Sequence, residues 1–135
     1  MRISLSKSGE IELSRRVLTP LSPSFCQAKL CLQEANLQQA FTYFKTTHRP
    51  HLSLGEQENI YYDKSGELLE TSIGNLVLKI DGKLYTPPIR LGILPGIYRQ
   101  HLLETGEVEE KILTLADFAQ AEAIYGCNAV RGLYE

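Results

Sequence analysis

The segment at 41–52, FTYFKTTHRPHL, contains the first residues whose types and spacing suggest chemistry. Lys45 follows Phe41, Tyr43 and Phe44, three aromatic residues of a type that is usually buried. A lysine held against apolar surface loses solvation for its charge, which favours the neutral amine. Lys45 is therefore a candidate nucleophile, although a surface lysine without such a role is the commoner case.

Two later features suggest a ligand site, although each is ordinary when taken alone. Glu70 ends an apolar strand-like run, and the small residues of TSIGN after it leave backbone amides free to approach a ligand. Gly96 stands before a helix-like segment, where the amides of Ile97 and Tyr98 and the helix dipole favour an anion. A carboxylate and an anion site thus follow the lysine in chain order.

One cofactor needs these three groups together. Pyridoxal 5'-phosphate requires an amine to hold its aldehyde as a Schiff base, a carboxylate to keep its pyridine nitrogen protonated, and an anion site for its phosphate. Lys45, Glu70 and the amides that follow Gly96 correspond to these needs. A last run at 126–132, GCNAVRG, adds polar and basic groups in a small-residue context that is also compatible with a turn.

Hydrophobic alternation and turn residues predict the elements that position these groups. The strongest signals are two hairpins with turns at Asp63-Lys64-Ser65-Gly66 and at Asp81-Gly82. The predicted elements are a hairpin at 2–13, a surface connection at 18–24, a strand at 25–33, a helical turn or two at 34–44, hairpins at 59–70 and 75–86, a helix at 97–104, a strand at 108–113, a helix in 114–126 with Thr114 as N-cap, and a strand at 127–134.

Composition restricts the classes of protein. The 135 residues correspond to one domain, and 43% hydrophobic with 22% charged residues is typical of a globular protein. The net charge of -2, with scattered basic residues, gives no indication of nucleic-acid binding. Without a long apolar run or a signal peptide, we expect no membrane span and a cytoplasmic protein. Cys26, Cys31 and Cys127 form no CxxC pair and are predicted to be buried free thiols, with no metal site.

Residues 41–135 resemble the large domain of the class IV, or fold-type IV, aminotransferase family. The best match is the aminodeoxychorismate lyase branch, as found fused to para-aminobenzoate synthase component I. The segments that carry the resemblance are FKTTHR, GELLETSIGNLVL, GKLYTPPIRLGILPGIYR and AEAIYGCNAVRG. The resemblance implies an α+β fold for residues 1–135: the large pseudo-barrel domain of the D-amino-acid aminotransferase-like fold, with an antiparallel-rich sheet and a few helices.

The resemblance also implies roles for individual residues. Lys45 would form the Schiff base and then move the substrate's protons, while Glu70 would contact the pyridine nitrogen. The other implied cofactor contacts are Ser72, Ile73, Asn75, Leu94, Gly96, Ile97, Tyr98 and Asn128. The implied contacts to a small-molecule substrate are Arg49, Ala129 and Arg131.

The implied reaction converts 4-amino-4-deoxychorismate to 4-aminobenzoate and pyruvate, on the route to folate. Two alternatives stay open: a class IV amino-acid aminotransferase, since the same lysine and glutamate serve both reactions, and a noncatalytic isolated domain. The family has a smaller N-terminal domain with a phosphate-binding arginine that this sequence lacks. We therefore expect weaker cofactor binding, and exposed apolar surface covered by a homodimer or by a missing domain or partner chain.

Two local departures from the family pattern are visible. Tyr98 stands where the family usually has threonine, so only its backbone amide can serve the phosphate. The run RPHLSLGEQEN replaces what is commonly a helix, and the two histidines near it, His48 and His51, are predicted to be surface residues.

Overall fold

The computed structural model describes residues 1–21, 27–33, 40–49, 51–52 and 57–135, without the side chains of residues 40 and 41. Its elements, in chain order, are β1 (Arg2–Leu5), β2 (Ile11–Ser14), β3 (Lys29–Leu32), α1 (Ala40–Tyr43), β4 (Asn59–Tyr62), β5 (Leu68–Thr71), β6 (Asn75–Ile80), β7 (Lys83–Thr86), a 3-10 turn (Ile89–Leu91), α2 (Ile97–Glu104), β8 (Glu109–Glu110), α3 (Leu115–Gln120), β9 (Ala123–Asn128) and β10 (Gly132–Tyr134).

Eight of the strands in the described ranges form one mixed sheet. Its order is β10-β9-β6-β5-β4-β3, with β7 added to β6 and β8 added to β7. The pairs β3–β4 and β7–β8 are parallel, and the other pairs are antiparallel. Strands β1 and β2 form a separate antiparallel hairpin. The predicted α+β class with an antiparallel-rich sheet is confirmed.

The two strong turn signals form the hairpins that the sequence predicts. Asp81 and Gly82 both have positive φ, 50° and 76°, as a tight two-residue turn between β6 and β7 requires. In the β4–β5 connection, Oδ1 of Asp63 accepts hydrogen bonds from the amides of Ser65 and Glu67. An aspartate side chain thus replaces backbone partners in that turn.

Strand β6 is at the centre of the fold and is buried on both faces. Leu76 and Leu78 pack on one face, in a cluster completed by Ile60, Leu68 and Leu113. Val77 points to the other face, where a second cluster contains Leu102, Val108 and Cys127. A third cluster, made of Tyr61, Leu69 and Ile93, lies beside β5. Strand β5 therefore runs through the interior, and its polar residues are buried with it.

The two longer helices begin where the sequence predicts. Helix α2 spans Ile97–Glu104 with Gly96 as its N-cap. Helix α3 has the predicted capping box: the Thr114 hydroxyl accepts from the Asp117 amide, and Asp117 Oδ2 accepts from the Thr114 amide. In the described part of the chain, no helix has both the length and the hydropathy that crossing a membrane requires.

The C-terminal prediction of a single strand at 127–134 is wrong. Helix α3 ends at Gln120, strand β9 already begins at Ala123, and a turn separates it from β10. Oδ1 of Asn128 accepts from the amides of Val130 and Arg131, which bends the chain at this point. The segment is therefore a hairpin. The Asn128 side chain accepts from two backbone amides that would otherwise bond to a neighbouring strand.

Other predictions are confirmed only in part. The hairpin near the N-terminus is present, and β3 confirms a strand within 25–33, although residues 25 and 26 lie outside the described residues. Of the helical segment predicted at 34–44, the structure shows the four-residue helix α1, and residues 34–39 lie outside the described residues. Residues 22–24 of the predicted surface connection also lie outside the described residues. The predicted strand at 108–113 is reduced to two residues. Cys31 and Cys127 are free thiols, but Cys31 is only half-buried, and Cys26 lies outside the described residues.

Candidate functional site

A cavity of about 450 Å³ lies beside Lys45. Its lining residues come from the first strand, the segment after α1 and the end of β5: Arg2, Lys45, Thr46, Thr47, Arg49, Leu52, Ser72 and Ile73. The volume is within the range of small-molecule sites. Three of the lining side chains are cationic at neutral pH, so the cavity favours an anionic ligand.

Lys45 reaches this cavity, but not for the predicted reason. The expected burial of its aromatic neighbours is wrong for Tyr43, which is 38% exposed, and for Phe44, which is 66% exposed, while the Phe41 side chain lies outside the described part of the chain. Lys45 is itself exposed. Helix α1 ends at Tyr43, and Phe44 and Lys45 lie in exposed, irregular backbone after it. Lys45 therefore lines the cavity because the segment after α1 runs past it, and not because apolar side chains surround the lysine.

Glu70 is the most buried charged residue near the cavity, with 2% exposure in the central strand β5. Its Oε1 accepts from Arg49 Nη2 at 3.2 Å, and its Oε2 accepts from the Leu94 amide at 3.4 Å. Burial raises the pKa of this carboxyl to about 7, although the charge of Arg49, the Leu94 amide and the charge of Lys45 all act in the opposite direction. Glu70 is therefore close enough to Lys45 and Arg49 to be influenced by both.

Asn75 connects the glutamate strand to the start of α2. Its Nδ2 donates to the Leu94 carbonyl at 2.8 Å, and the Gly96 amide donates to the same carbonyl at 2.9 Å. A Cβ atom at position 96 would clash with Oδ1 of Asn75. The φ of Gly96, -68°, is one that any residue adopts, so backbone conformation does not require glycine here. Glycine is required because the Asn75 side chain packs against the backbone at position 96.

The first turn of α2 has amides that no intrahelical carbonyl can satisfy. Ile97 is 77% exposed, and the Tyr98 ring packs beside Gly132. The Tyr98 side chain is thus turned toward the second core cluster, which leaves its amide as the group available to an anion. In the described ranges no residue of α2 lines the 450 Å³ cavity, and the two are connected through Glu70, Leu94 and Asn75.

The last predicted segment contributes less than expected. Asn128 Nδ2 donates to the carbonyl of Ile73 at 3.4 Å, which supports the cavity wall from behind. Ala129 is exposed in the turn. Arg131 donates to the Thr19 carbonyl at 3.0 Å. Neither Ala129 nor Arg131 lines the described part of the cavity, so their assignment as substrate contacts remains a prediction.

Several residues at the cavity were not found by sequence reasoning. Thr46 and Thr47 follow Lys45 directly, and this adjacency was the available signal. Arg2 gave no signal, because its contribution depends on where the first hairpin packs. Arg49 was assigned to the substrate, whereas the structure pairs it with Glu70. The prediction that His51 lies at the surface is wrong, since only 9% of it is exposed.

The burial of His51 follows from its position beside Arg49 and Leu52 at the cavity. Burial, together with the positive charge of Arg49, lowers the pKa of this imidazole. His48 is exposed, as predicted. The segment that replaces the usual family helix therefore contributes one buried histidine to the surroundings of the cavity.

Comparisons with known proteins agree with this arrangement. The family model for amino-transferase class IV matches residues 5–135. Aminodeoxychorismate lyase of Saccharomyces cerevisiae is 30% identical over an alignment that covers 69% of this chain. A crystal structure from Mesorhizobium loti, assigned as an amino-acid aminotransferase, has a TM-score of 0.81 and 30% identity and covers 97% of this chain and 68% of that chain.

A second solved structure is 4-amino-4-deoxychorismate lyase from Pseudomonas aeruginosa, with a TM-score of 0.52 and 28% identity, covering 57% of this chain and 30% of that chain. The chain spans only 32% of the yeast lyase and 41% of a related uncharacterized protein of Haemophilus influenzae. The match of the family model nevertheless extends over nearly the whole chain. The chain belongs to the amino-transferase class IV family.

Proposed function

We propose that this chain is the larger, cofactor-binding domain of an aminodeoxychorismate lyase, which converts 4-amino-4-deoxychorismate to 4-aminobenzoate and pyruvate. The observation that carries the proposal is that an exposed lysine, Lys45, lines the cationic cavity close to a buried carboxyl group, Glu70, which is bonded to Arg49 of the same lining. The family is one of pyridoxal-phosphate enzymes, and relatives in yeast and Pseudomonas bear the name of this lyase.

The residues at the cavity fit pyridoxal phosphate. Lys45 supplies a primary amine that is open to an aldehyde, and Glu70 supplies a carboxylate of a kind suited to a pyridinium nitrogen. Arg2 supplies positive charge at the cavity, and the first-turn amides of α2, which is connected to Glu70 through Leu94 and Asn75, supply donors for a phosphate. When bound, the cofactor acts as an electron sink for a substrate carbanion.

Arg49 favours the ionised form of Glu70. Burial favours the neutral acid, whereas only the carboxylate attracts a protonated ring nitrogen. The guanidinium at 3.2 Å opposes the effect of burial and leaves the pKa of Glu70 at about 7 rather than higher. We therefore assign Arg49 to the orientation and charge of Glu70, in place of the substrate contact that the sequence suggested.

The substrate proposed here carries carboxylate groups, and the cavity offers cations to bind them. Arg2 lines the cavity together with Lys45 and Thr46. Lys45 is placed to accept and return substrate protons, since it lines the cavity and is exposed there. Loss of the enolpyruvyl group as pyruvate makes the product ring aromatic, and this driving force is absent from transamination.

The test combines a binding measurement with an assay of product. The purified chain, mixed with pyridoxal phosphate, should gain the visible absorption that results when a lysine amine binds the aldehyde. Lys45→Ala should lose this band and all formation of 4-aminobenzoate, whereas the control Lys64→Ala, at an exposed turn, should retain both. A Lys45→Ala protein that keeps the band would refute the assignment of the lysine.

An amino-acid aminotransferase is the second candidate, because the Mesorhizobium neighbour that superposes on nearly the whole chain is of that type. The two reactions differ in their need for a keto-acid acceptor. Formation of pyruvate without any acceptor indicates the lyase, and turnover only with an acceptor indicates the transferase. A chain that binds the cofactor and forms neither product corresponds to the noncatalytic domain, and adding the smaller family domain then tests whether activity is restored.

We further propose that the chain pairs with a second copy of itself through its first hairpin. One face of this hairpin exposes four large apolar side chains, Ile3, Leu5, Ile11 and Leu13, each more than 60% exposed. Apolar surface of this kind is typical of an interface. Sedimentation equilibrium should show dimers that Leu5→Ser weakens, and a monomer at high concentration would contradict the proposal.

A further inference from the structure

A second cavity, of about 150 Å³, shares no lining residue with the cavity at Lys45. Its polar lining includes the carboxyl group of Glu58, at the start of β4, and the hydroxyl group of Tyr134, in β10. The proposed lyase or transferase chemistry uses neither group. The cavity therefore needs an explanation of its own.

The carboxylate of Glu58 is buried without a hydrogen-bond partner. The residue is 5% exposed, and neither Oε1 nor Oε2 has a partner with hydrogen-bond geometry. Burial raises the pKa of Glu58, and the side chains of Thr71 and Ser72 and the amides of Ser72 and Ile73 act in the opposite direction, although none of them has hydrogen-bond geometry to either oxygen. An unpaired buried carboxylate is costly, so a partner that occupies the cavity would be strongly favoured.

The Tyr134 hydroxyl group is also buried and unpaired, and its position is fixed by two glycines. A Cβ atom at position 126 would lie 2.6 Å from the tyrosine ring, and one at position 74 would lie 2.9 Å from the hydroxyl oxygen. Burial, with a smaller contribution from the negative charge of Glu58, raises the pKa of Tyr134 to about 12. The phenol therefore remains neutral and presents an oxygen acceptor near the carboxylate.

The remaining walls favour a cation with an apolar body. The rings of Phe118, Tyr125 and Tyr134 all line the cavity, and aromatic faces attract organic ammonium ions. The charged residues in the lining, Glu58 and the exposed Glu135, are both acidic. None of the described lining residues is a lysine, an arginine or a histidine, so these residues supply no cation to the cavity.

We propose that this cavity binds a small primary organic ammonium ion, about the size of n-butylammonium. A primary ammonium has three donors, and the cavity has three acceptor oxygens without partners, two on Glu58 and one on Tyr134. A volume of 150 Å³ is comparable to that of an engineered cavity that holds benzene, so a short alkyl chain fits beside the rings.

The test is a titration of the cofactor-free chain with n-butylammonium chloride, followed by NMR chemical shifts at pH 8 in an amine-free buffer. Saturable binding is expected, with shifts for the residues around the cavity. The isosteric neutral alcohol 1-butanol should bind at least about tenfold more weakly, which is equivalent to about 1.4 kcal/mol. This comparison uses the wild-type chain and does not depend on any variant folding.

Variants locate the site. Glu58→Gln should weaken n-butylammonium binding at least about tenfold, and Tyr134→Phe should weaken it severalfold while keeping the aromatic wall. The control Glu107→Gln, at an exposed residue, should have no effect. The proposal is overturned if binding is not saturable, if 1-butanol binds equally well, or if Glu58→Gln binds like the wild type. Any of these results would mean that water alone satisfies the Glu58 carboxylate and the Tyr134 hydroxyl group.

Discussion

Replacement of Glu70 by glutamine should remove a loss of stability that the buried carboxyl imposes at neutral pH. Glu70 is 2% exposed, and burial raises its pKa from the ordinary 4.5 to about 7 despite the nearby Arg49. The folded protein therefore binds the proton more tightly than the unfolded chain does. Glutamine has nearly the same shape, keeps an oxygen that can accept from Arg49, and does not titrate.

The sign and size of the effect follow from this difference in pKa. Between pH 4.5 and pH 7 the folded state holds more protons than the unfolded state, so the free energy of unfolding falls as the pH rises. The full loss is about 3 kcal/mol, since one pKa unit is equivalent to 1.36 kcal/mol. About 2.5 kcal/mol of it falls between pH 5 and pH 8.

Urea unfolding at pH 5, 6, 7 and 8, followed by circular dichroism, measures the effect. The free energy of unfolding of Glu70→Gln minus that of the wild type should increase by about 2.5 kcal/mol across this range. Taking the difference cancels the titration of other groups, including Glu58 and His51. The control Glu107→Gln should show a constant difference. A constant difference for Glu70→Gln as well would mean that Glu70 is ionised at all these pH values, and the argument from burial would fail.

Three further substitutions test the local geometry. Gly96→Ala should lower pyridoxal-phosphate affinity at least about tenfold, by absorbance titration, because its Cβ displaces Asn75 and with it the contact to Leu94. Thr114→Ala should lower the free energy of unfolding by about 1 kcal/mol in urea, because the hydroxyl that accepts from the Asp117 amide and donates to Asp117 Oδ2 is lost. Gly126→Ala should cost about 1 to 3 kcal/mol in the same assay, because its Cβ meets the Tyr134 ring. An unchanged value in any of these measurements would contradict the corresponding contact.

The features that the sequence predicts well are decided by residues close together in the chain. The turn at Asp81-Gly82 follows from the backbone freedom of these two residues, and the start of α3 follows from Thr114 and Asp117. No distant contact can change which residue caps the helix. The two central hairpins, helix α2 and the start of α3 therefore have nearly the predicted bounds.

The features that the sequence misses depend on contacts between distant segments. The pair Arg49–Glu70 joins residues 21 positions apart, and no local pattern distinguishes a guanidinium that binds a buried carboxylate from one that binds a substrate. The exposure of Phe44 has the same origin, since an aromatic residue is buried only where another element covers it. At 126–132 the small residues are compatible with both a strand and a turn, and the turn forms because Asn128 Oδ1 accepts from the amides of Val130 and Arg131.

The way Glu70 is held suggests why a carboxyl with a pKa of about 7 suits the proposed cofactor. Arg49 engages Oε1 at 3.2 Å, whereas the Leu94 amide is 3.4 Å from Oε2, so Oε2 is the less strongly bound oxygen. Near neutral pH the carboxyl is close to its own midpoint, and a cationic N–H donor at Oε2 favours the ionised form over the neutral acid. Binding of such a donor is then linked to proton release from Glu70, and Arg49 lowers the free energy that this release requires. The same burial that destabilises the ligand-free protein strengthens the contact once a cationic nitrogen is present, because both charges are then shielded from water.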